Sequence, residues 1–416
     1  MLVWIRHTTD NMQMDTIDKL ALLGGAARYE IAGERQQNRV TQGPRSALCV
    51  GDSTNDASGT LLRVLQSSYC EHDCAYCPLR RSNDPQRTSF RSEELAQAFA
   101  EQWARRRADG LMLSSATDTS PDSSMQRMID TVRILRTRHQ FDGYVHMKIL
   151  PGSSDSSIEE AATVADRLSL NVEVPAPEYL EGLETGKHWQ QDIMRPLQAL
   201  RRLNLEGKIH SGVTGQLLVG VAAGGRAPAV DQALADASRR LRREFDLRRV
   251  HYGSFVPAPG TPLAETTPPD PRRRARLYQW DWLAMHYQYA DCELDAAFDA
   301  VGNLPLALDP KLAVTLAVPD HKPVEVNTAT YEDLLRVPGI GPVTARRIVD
   351  MRHLGTLADL RDLKVLGVVA SRAAPFVLLN GRRPPEAPVS LHRIKRALRA
   401  IGPQPVQLSL FPELGT

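Results

Sequence analysis

Between residues 60 and 256 the chain alternates short apolar runs with longer amphipathic stretches, and this alternation limits the possible folds more than any other feature. The runs 60–66, 110–115, 143–149, 168–174, 214–220 and 250–256 have the length and composition of strands. The stretches between them include Ser92–Arg107, Ser124–His139, Ser157–Arg167, Asp192–Leu203 and Asp231–Glu244, which read as helices. Ser92-Glu93-Glu94-Leu95 is a good helix start. Strands separated by helices of this length predict βαβ units and a parallel sheet, so the fold class is α/β. Six units suit an open barrel, but periodicity alone does not separate that from a doubly wound sheet. In a parallel barrel the active site is built at the C-terminal ends of the strands.

The first of these ends carries the chemistry. Directly after the apolar run Leu61-Leu62-Arg63-Val64-Leu65 comes Cys70-Glu71-His72-Asp73-Cys74-Ala75-Tyr76-Cys77, three thiols within eight residues. Soft thiolates select iron–sulfur clusters, zinc or Cu(I). A [4Fe-4S] cube usually takes four protein thiolates. Three would leave one iron open. A structural zinc would need four closed ligands, with His72 or Cys49 as the fourth. Disulfides are disfavoured, because the chain has five cysteines and its N-terminus, with Asp10 and Asp15, has no secretory character. Cys292 reads as a plain buried thiol.

The spacing, with an aromatic before the last cysteine, resembles the cluster loop of the radical S-adenosylmethionine (SAM) superfamily. The resemblance implies a partial (β/α)6 barrel in which Cys70, Cys74 and Cys77 each bind one iron of a [4Fe-4S] cluster. S-adenosylmethionine would chelate the fourth iron and be cleaved to methionine and a 5′-deoxyadenosyl radical. It also places Tyr76 near the adenine, and Ser114 and Ser115 near the amino group, where the superfamily usually has a Gly-Gly-Glu-like segment. Asn171 and Glu173, two residues apart on the fourth strand, would contact the ribose or methionine end. Lys148 and Gln216, on the third and fifth strands, complete the expected cofactor set. A charge inside a barrel is costly without a partner, so Lys148 and Glu173 could equally pair with each other.

A second module follows. Leu334-Leu335-Arg336-Val337-Pro338-Gly339-Ile340-Gly341-Pro342-Val343-Thr344-Ala345-Arg346-Arg347 resembles the helix-hairpin-helix motif of DNA repair and DNA uptake proteins. Gly339 and Gly341 free the backbone for a tight hairpin, and Pro342 is a favoured first helical residue. The exposed N–H groups of that helix start form an anion site, with Thr344 in the first turn and Arg346 and Arg347 one turn on. A weaker copy runs from Leu360 to Phe376, with Leu366-Gly367-Val368 as its hairpin. Charge agrees with a polyanion partner. From Pro323 onward there are 13 Lys+Arg and 8 Asp+Glu, a balance of +5, against a whole-chain net of +2, so the preceding residues carry 2 − 5 = −3.

The remaining expectations concern organisation. Residues 1–58 form an N-terminal extension with a helix over 14–30 and loop over 31–58, and residues 1–13 lie upstream of a natural-looking start at Met14. The barrel spans 59–265, a helical linker region 266–322, the hairpin domain 323–381, and a flexible basic tail 382–416. In the linker region Trp280, Trp282, Tyr287 and Tyr289 are expected to pack a helix onto the body, and Arg272, Arg273 and Arg274 to be solvated. In the tail, Gln407-Leu408-Ser409-Leu410-Phe411 resembles the bacterial sliding-clamp-binding motif, with Gln407, Leu408, Leu410 and Phe411 as anchors. No run of 18 apolar residues is present, so no membrane span is expected and a cytoplasmic, nucleoid-associated protein is.

The cysteine loop, the Arg80-Arg81-Ser82-Asn83-Asp84 segment after it and the C-terminal hairpin together resemble one uncharacterised family of radical SAM proteins assigned to DNA modification or repair. That family is linked to a uracil-DNA-glycosylase-like partner. The resemblance implies an enzyme acting on DNA. A DNA-binding adaptor with a structural cluster and an RNA-modifying radical enzyme are the alternatives.

Overall fold

A computed structural model describes residues 14–27, 48–50, 60–183, 185–222, 224–318, 322–385 and 387. The clamp-like motif at 407–411, the basic stretch Leu391–Ala400 and residues 1–13 lie outside the described residues. Contacts divide the chain into two compact units. One comprises residues up to Ala229 together with Asp236–Pro269; the other comprises Val230–Ala235 and the described residues from Asp270 onward.

The first unit is built on a sheet with strand order β1-β2-β3-β4-β5-β6-β7. Strands β2 (Thr60–Leu65), β3 (Gly110–Ser114), β4 (Val145–Ile149), β5 (Arg167–Glu173), β6 (Val213–Val219) and β7 (Leu247–Ser254) run parallel in sequence order. Six parallel strands in this order form the expected half-barrel. Strands β3 and β4 are buried along their whole length, as a sheet with both faces covered requires. Helix α1 (Thr16–Ala26) lies within the expected N-terminal helix, and the crossover helices α2 (Ser92–Ala104), α3 (Pro121–Arg138), α4 (Asp155–Ala162), α6 (Arg195–Leu205) and α7 (Asp231–Phe245) overlap the stretches the apolar spacing marked, with a short α5 (Pro177–Glu181) after β5; the helix expected to reach Arg167 ends at Ala162, and Arg167 opens β5. Local chemistry sets their starts: Ser120 accepts from the Ser123 N–H at 3.1 Å ahead of Pro121, and Ser154 caps α4 through the Ser157 N–H.

Three features differ from expectation. Strand β1 (Leu48–Val50) adds an antiparallel edge to β2, within a stretch expected to be loop. Strand β7 begins three residues earlier than the apolar run, because Leu247 is buried while Arg248 breaks the hydrophobic pattern. Strand β5 carries a bulge between Asn171 and Glu173, and Glu173 has φ of 69°, a backbone setting uncommon outside glycine. The simple alternation that put Asn171 and Glu173 on one face is therefore broken at Val172.

In the second unit, α8 (Pro271–His286), α9 (Asp291–Asp295) and α10 (Pro310–Ala317) share a unit with α11 (Tyr331–Arg336), α12 (Pro342–Met351), α13 (Leu360–Val365) and α14 (Ala370–Ala373). Leu312 of α10 is part of the same core as Leu334, Ile340, Ile348, Leu363 and Phe376. The region expected as a linker thus supplies core residues to the hairpin unit. Its aromatics pack as expected: Trp280 is fully buried with its Nε1 donating to the Leu294 carbonyl at 3.2 Å, and Arg336 lies 4.2 Å over the Tyr289 ring. The expectation of solvated arginines fails in part. Arg274 is 8% exposed and Arg273 pairs with the buried Asp231 at 2.7 Å. Cys292 is exposed rather than buried.

Candidate active site and nucleic-acid interface

The cysteine loop leaves the C-terminal end of β2 and is tied down on two sides. The segment after β3 is zipped to it: Gln66 N–H donates to the Ser114 carbonyl at 2.7 Å, Ala116 N–H to Ser67 at 2.9 Å, and Glu71 N–H to Thr117 at 2.8 Å. On the other side Ala75 N–H donates to the Leu183 carbonyl at 2.8 Å, joining the loop to the chain after β5. Asp73 accepts from Arg80 Nε at 2.7 Å and from Ser82 Oγ at 2.7 Å, and these bonds hold its carboxyl well below the usual carboxylate range. Arg87 completes the clasp. Its guanidinium donates to the carbonyls of Ser68, Leu79, Arg80 and Asn83 at 2.6–3.0 Å. Nothing in the spacing of the cysteines pointed to Arg87; only the tertiary path of the loop brings four carbonyls to one fork.

All three cysteines are free thiols; Cys74 is buried and Cys70 and Cys77 are half-buried. Burial pushes the Cys77 thiol up to about 12, reinforced by Cys74, and raises Cys74 as well. Glu173, 4% exposed, faces this cluster. Its Oε1 lies 3.9 Å from Lys187 Nζ and its Oε2 is buried with no hydrogen-bond partner. Burial first, then the Glu173 charge, push the Tyr76 hydroxyl well up. Beside them Lys148 donates to Asn171 Oδ1 at 2.6 Å and to Gln216 Oε1 at 3.3 Å. Burial holds Lys148 down to about 7, with Glu173 opposing. The structure therefore gathers Cys70, Cys74, Cys77, Tyr76, Glu173, Lys148, Asn171 and Gln216 at the strand ends. The ion-pair partner of Glu173 is Lys187, which sequence reasoning missed. Ser114 is buried and joined to the loop through its carbonyl, while the Ser115 hydroxyl donates to the Ala116 carbonyl at 2.7 Å.

These residues fit a [4Fe-4S] cluster with S-adenosylmethionine. Three soft donors stand in one loop. The orphaned Glu173 oxygen is an acceptor whose burial is costly until a ligand donor, such as an ammonium or a ribose hydroxyl, reaches it. Among the described residues no three His, Cys, Asp or Glu side chains converge as a single ion would require. Thiolates on separate irons of one cube need no such convergence.

In the second unit the hairpin is set by backbone. Gly339 has φ of 90°, and a Cβ there would stand 2.6 Å from the Val369 carbonyl oxygen. That carbonyl belongs to the second hairpin, whose Gly367 has φ of 93°, and Val369 N–H donates to the Gly339 carbonyl at 3.0 Å. Gly341 caps α12, and its N–H donates to Thr344 Oγ1 at 2.7 Å. Thr344 is thus engaged in shaping the helix start. Arg346 and Arg347 are exposed; Arg346 lies 5.0 Å over the Tyr331 ring and Arg347 Nη1 donates to the Leu366 carbonyl at 3.3 Å. Lys311 Nζ, held down to about 7 by burial, donates to the Ile340 carbonyl at 2.5 Å from beneath the hairpin.

Comparison with known proteins places both halves. Residues 64–219 match the radical SAM superfamily, and residues 320–371 match a helix-hairpin-helix motif. No curated protein matches the chain. Among solved structures, methylornithine synthase (PylB) is similar at 18% identity and TM-score 0.43, over 54% of this chain and 61% of its own. The FeFe-hydrogenase maturase HydG from Carboxydothermus hydrogenoformans is similar at 16% identity and TM-score 0.40, over 53% of this chain and 49% of its own. The radical SAM methyltransferase TsrM from Kitasatospora setae is similar at 15% identity and TM-score 0.37, over 49% of this chain and 38% of its own. The chain therefore spans about half the length of these structures. No helix among the described residues is long and apolar enough to cross a membrane. The chain carries a radical SAM domain, the kind that works with a [4Fe-4S] cluster and S-adenosylmethionine, joined to a helix-hairpin-helix motif.

Proposed function

We propose that the protein is a radical SAM enzyme that acts on DNA, in modification or repair. The observation that carries this reading is the presence, in one chain, of the three-cysteine strand end and a hairpin whose helix start is stripped of side chains at Gly339 and Gly341. When bound, the cluster and S-adenosylmethionine supply the 5′-deoxyadenosyl radical that attacks the substrate. Cys70, Cys74 and Cys77 would hold the cluster, leaving one iron for S-adenosylmethionine. Glu173, with its free buried oxygen, would accept from the cofactor, and Tyr76 would lie near the adenine. Lys148, Asn171 and Gln216 form a bonded row that would keep the cofactor's polar end in register.

The hairpin would hold DNA by its backbone phosphates. The N–H groups at the start of α12 and the exposed Arg346 and Arg347 offer charge and donors without reading bases. Gln407–Phe411 would tether the enzyme to a sliding clamp, and the family resemblance adds a uracil-DNA-glycosylase-like partner and a place at the nucleoid. The test is anaerobic reconstitution followed by a 5′-deoxyadenosine assay with DNA, with RNA and with neither. Stimulation by DNA, and tighter binding to DNA than to RNA across a salt series, is expected. Stimulation by RNA alone contradicts the DNA assignment.

A further inference from the structure

We propose that the inner face of the half-barrel, one layer below the row of Lys148, Asn171 and Gln216, receives a nucleobase turned out of the DNA strand, and that Thr214 and His251 read its hydrogen-bonding edge. This assignment rests on the reading of the protein as an enzyme that acts on DNA. An enzyme that does chemistry on a base takes it out of the stack or works on a single strand, and it reads the freed base by hydrogen bonds to its edge. The sheet offers one polar layer for this. Side chains two apart on a strand share a face. Lys148 bonds to Asn171 and Gln216, so these residues of β4, β5 and β6 lie on one face. The opposite face is the helix-covered one, where Val172 lines a cavity with Met194 and with Leu241 of α7. Two residues before Lys148, Asn171 and Gln216 stand His146, Ser169 and Thr214. His146 Nε2 and Ser169 Oγ are hydrogen-bonded at 2.8 Å, and Ser169 is in register with Thr214. On β7, His251 is in register with Gln216.

Two groups of this layer are left over. Thr214 is 1% exposed and His251 7%, and Thr214 Oγ1 and His251 Nδ1 are buried with no hydrogen-bond partner among the described residues. A buried polar atom without a partner costs free energy, and protein interiors keep such atoms few. Two on one face therefore point to a ligand. Burial first, then the Arg167 charge, holds His146 down to about 3. Burial first, then the Arg249 charge, holds His251 well below its ordinary range. Both rings are neutral at pH 7. A neutral imidazole offers one donor and one acceptor, and a hydroxyl offers both as well. That set matches the mixed donors and acceptors of a base edge, whereas a phosphate only accepts. Thr214 stands two residues along β6 from Gln216, about 7 Å. A base in this layer would lie directly beneath the row that would hold the cofactor's polar end.

The test is fluorescence anisotropy of the whole reconstituted protein, unreduced and with S-adenosylmethionine present. The probes are DNA duplexes carrying one unpaired dA, dC, dG or dT in otherwise identical sequence, beside the fully paired duplex. The native protein is expected to bind the best of the four about a hundredfold more tightly than the worst, because a site built to hydrogen-bond rejects a ligand that leaves its groups unpaired. Thr214→Val and His251→Phe are each expected to cut that preference about tenfold and to leave binding of the paired duplex unchanged. Thr214→Ser keeps the hydroxyl and should keep the preference. Because each apolar replacement removes an unpartnered atom, neither should lower the denaturant midpoint. If the two groups merely hold a buried water, the variants lose stability and the preference stays; that result overturns the assignment. Thr214→Val decides alone should His251→Phe fail to fold. A native protein that is stimulated by DNA but binds all four duplexes equally also overturns it, and leaves the DNA reading standing. A protein that binds no DNA, paired or unpaired, refutes the DNA reading and this assignment with it.

Discussion

The cluster loop and the hairpin are both small turns that present a binding surface, but they are built from opposite materials. The loop depends on side chains from outside it: Arg87 clasps it, and Glu173 and Lys187 form a buried pair at 3.9 Å in the same unit. The hairpin depends on local backbone, with Gly339 at φ of 90° and Pro342 opening α12 within a few residues. A site that works through redox chemistry needs a dry interior with placed charges. A site that grips phosphate needs only exposed N–H groups and cations.

If that contrast holds, mutations should separate the two functions. The largest effect is expected from Cys70→Ala, Cys74→Ala or Cys77→Ala, each abolishing cluster assembly, as iron and sulfide content would show. DNA affinity should be unchanged in the same proteins; a parallel loss of DNA binding would break the comparison. Arg87→Ala removes four charge-assisted bonds to loop carbonyls. We expect a loss on the order of 3 kcal/mol in denaturant unfolding, less than the sum of four separate bonds because they share one side chain. Cluster content should fall with it.

Gly339→Ala tests the other side. A left-handed backbone for alanine and a Cβ 2.6 Å from the Val369 carbonyl oxygen should destabilise the hairpin by about 2 kcal/mol. DNA affinity should fall about tenfold while the cluster spectrum stays native. Arg346→Ala and Arg347→Ala should be milder, weakening binding uniformly across sequences and lowering the salt slope by about one each.

The smallest effect, taken per pH unit, is one of pH. Lys311 has its pKa held down to about 7 by burial, against 10.5 in its ordinary state. Between these values the unfolded chain keeps the proton that the folded chain has released. The unfolded state therefore binds more protons, and stability rises with pH across that window, by at most about 1.4 kcal/mol per pH unit. Below pH 7 both states are protonated and the slope vanishes. Denaturant melts of the native protein and of Lys311→Met should differ in that slope and converge below it.

The sequence disclosed these regions unequally, for the same physical reason. The hairpin was legible because its determinants are consecutive: glycines for the turn, proline for the helix start, arginines one turn on. The three-cysteine loop was legible for the same reason, and the half-barrel because apolar periodicity is local. Arg87, Lys187 and the bulge that turns Glu173 were not, because each owes its position to contacts made only after the strands assemble. Strand β1 was hidden by its three-residue length. The pairing of Lys148 with Asn171 and Gln216 was open to the reading that it simply neutralises Glu173, since strand spacing names neighbours on a face but not which of them bond.

The most direct measurement is the electron paramagnetic resonance spectrum of the reduced, anaerobically reconstituted protein before and after S-adenosylmethionine is added. We expect a [4Fe-4S] signal that changes on addition, followed by 5′-deoxyadenosine in the product mixture. A protein holding a single zinc ion, or a cluster whose signal is indifferent to S-adenosylmethionine, would contradict the account.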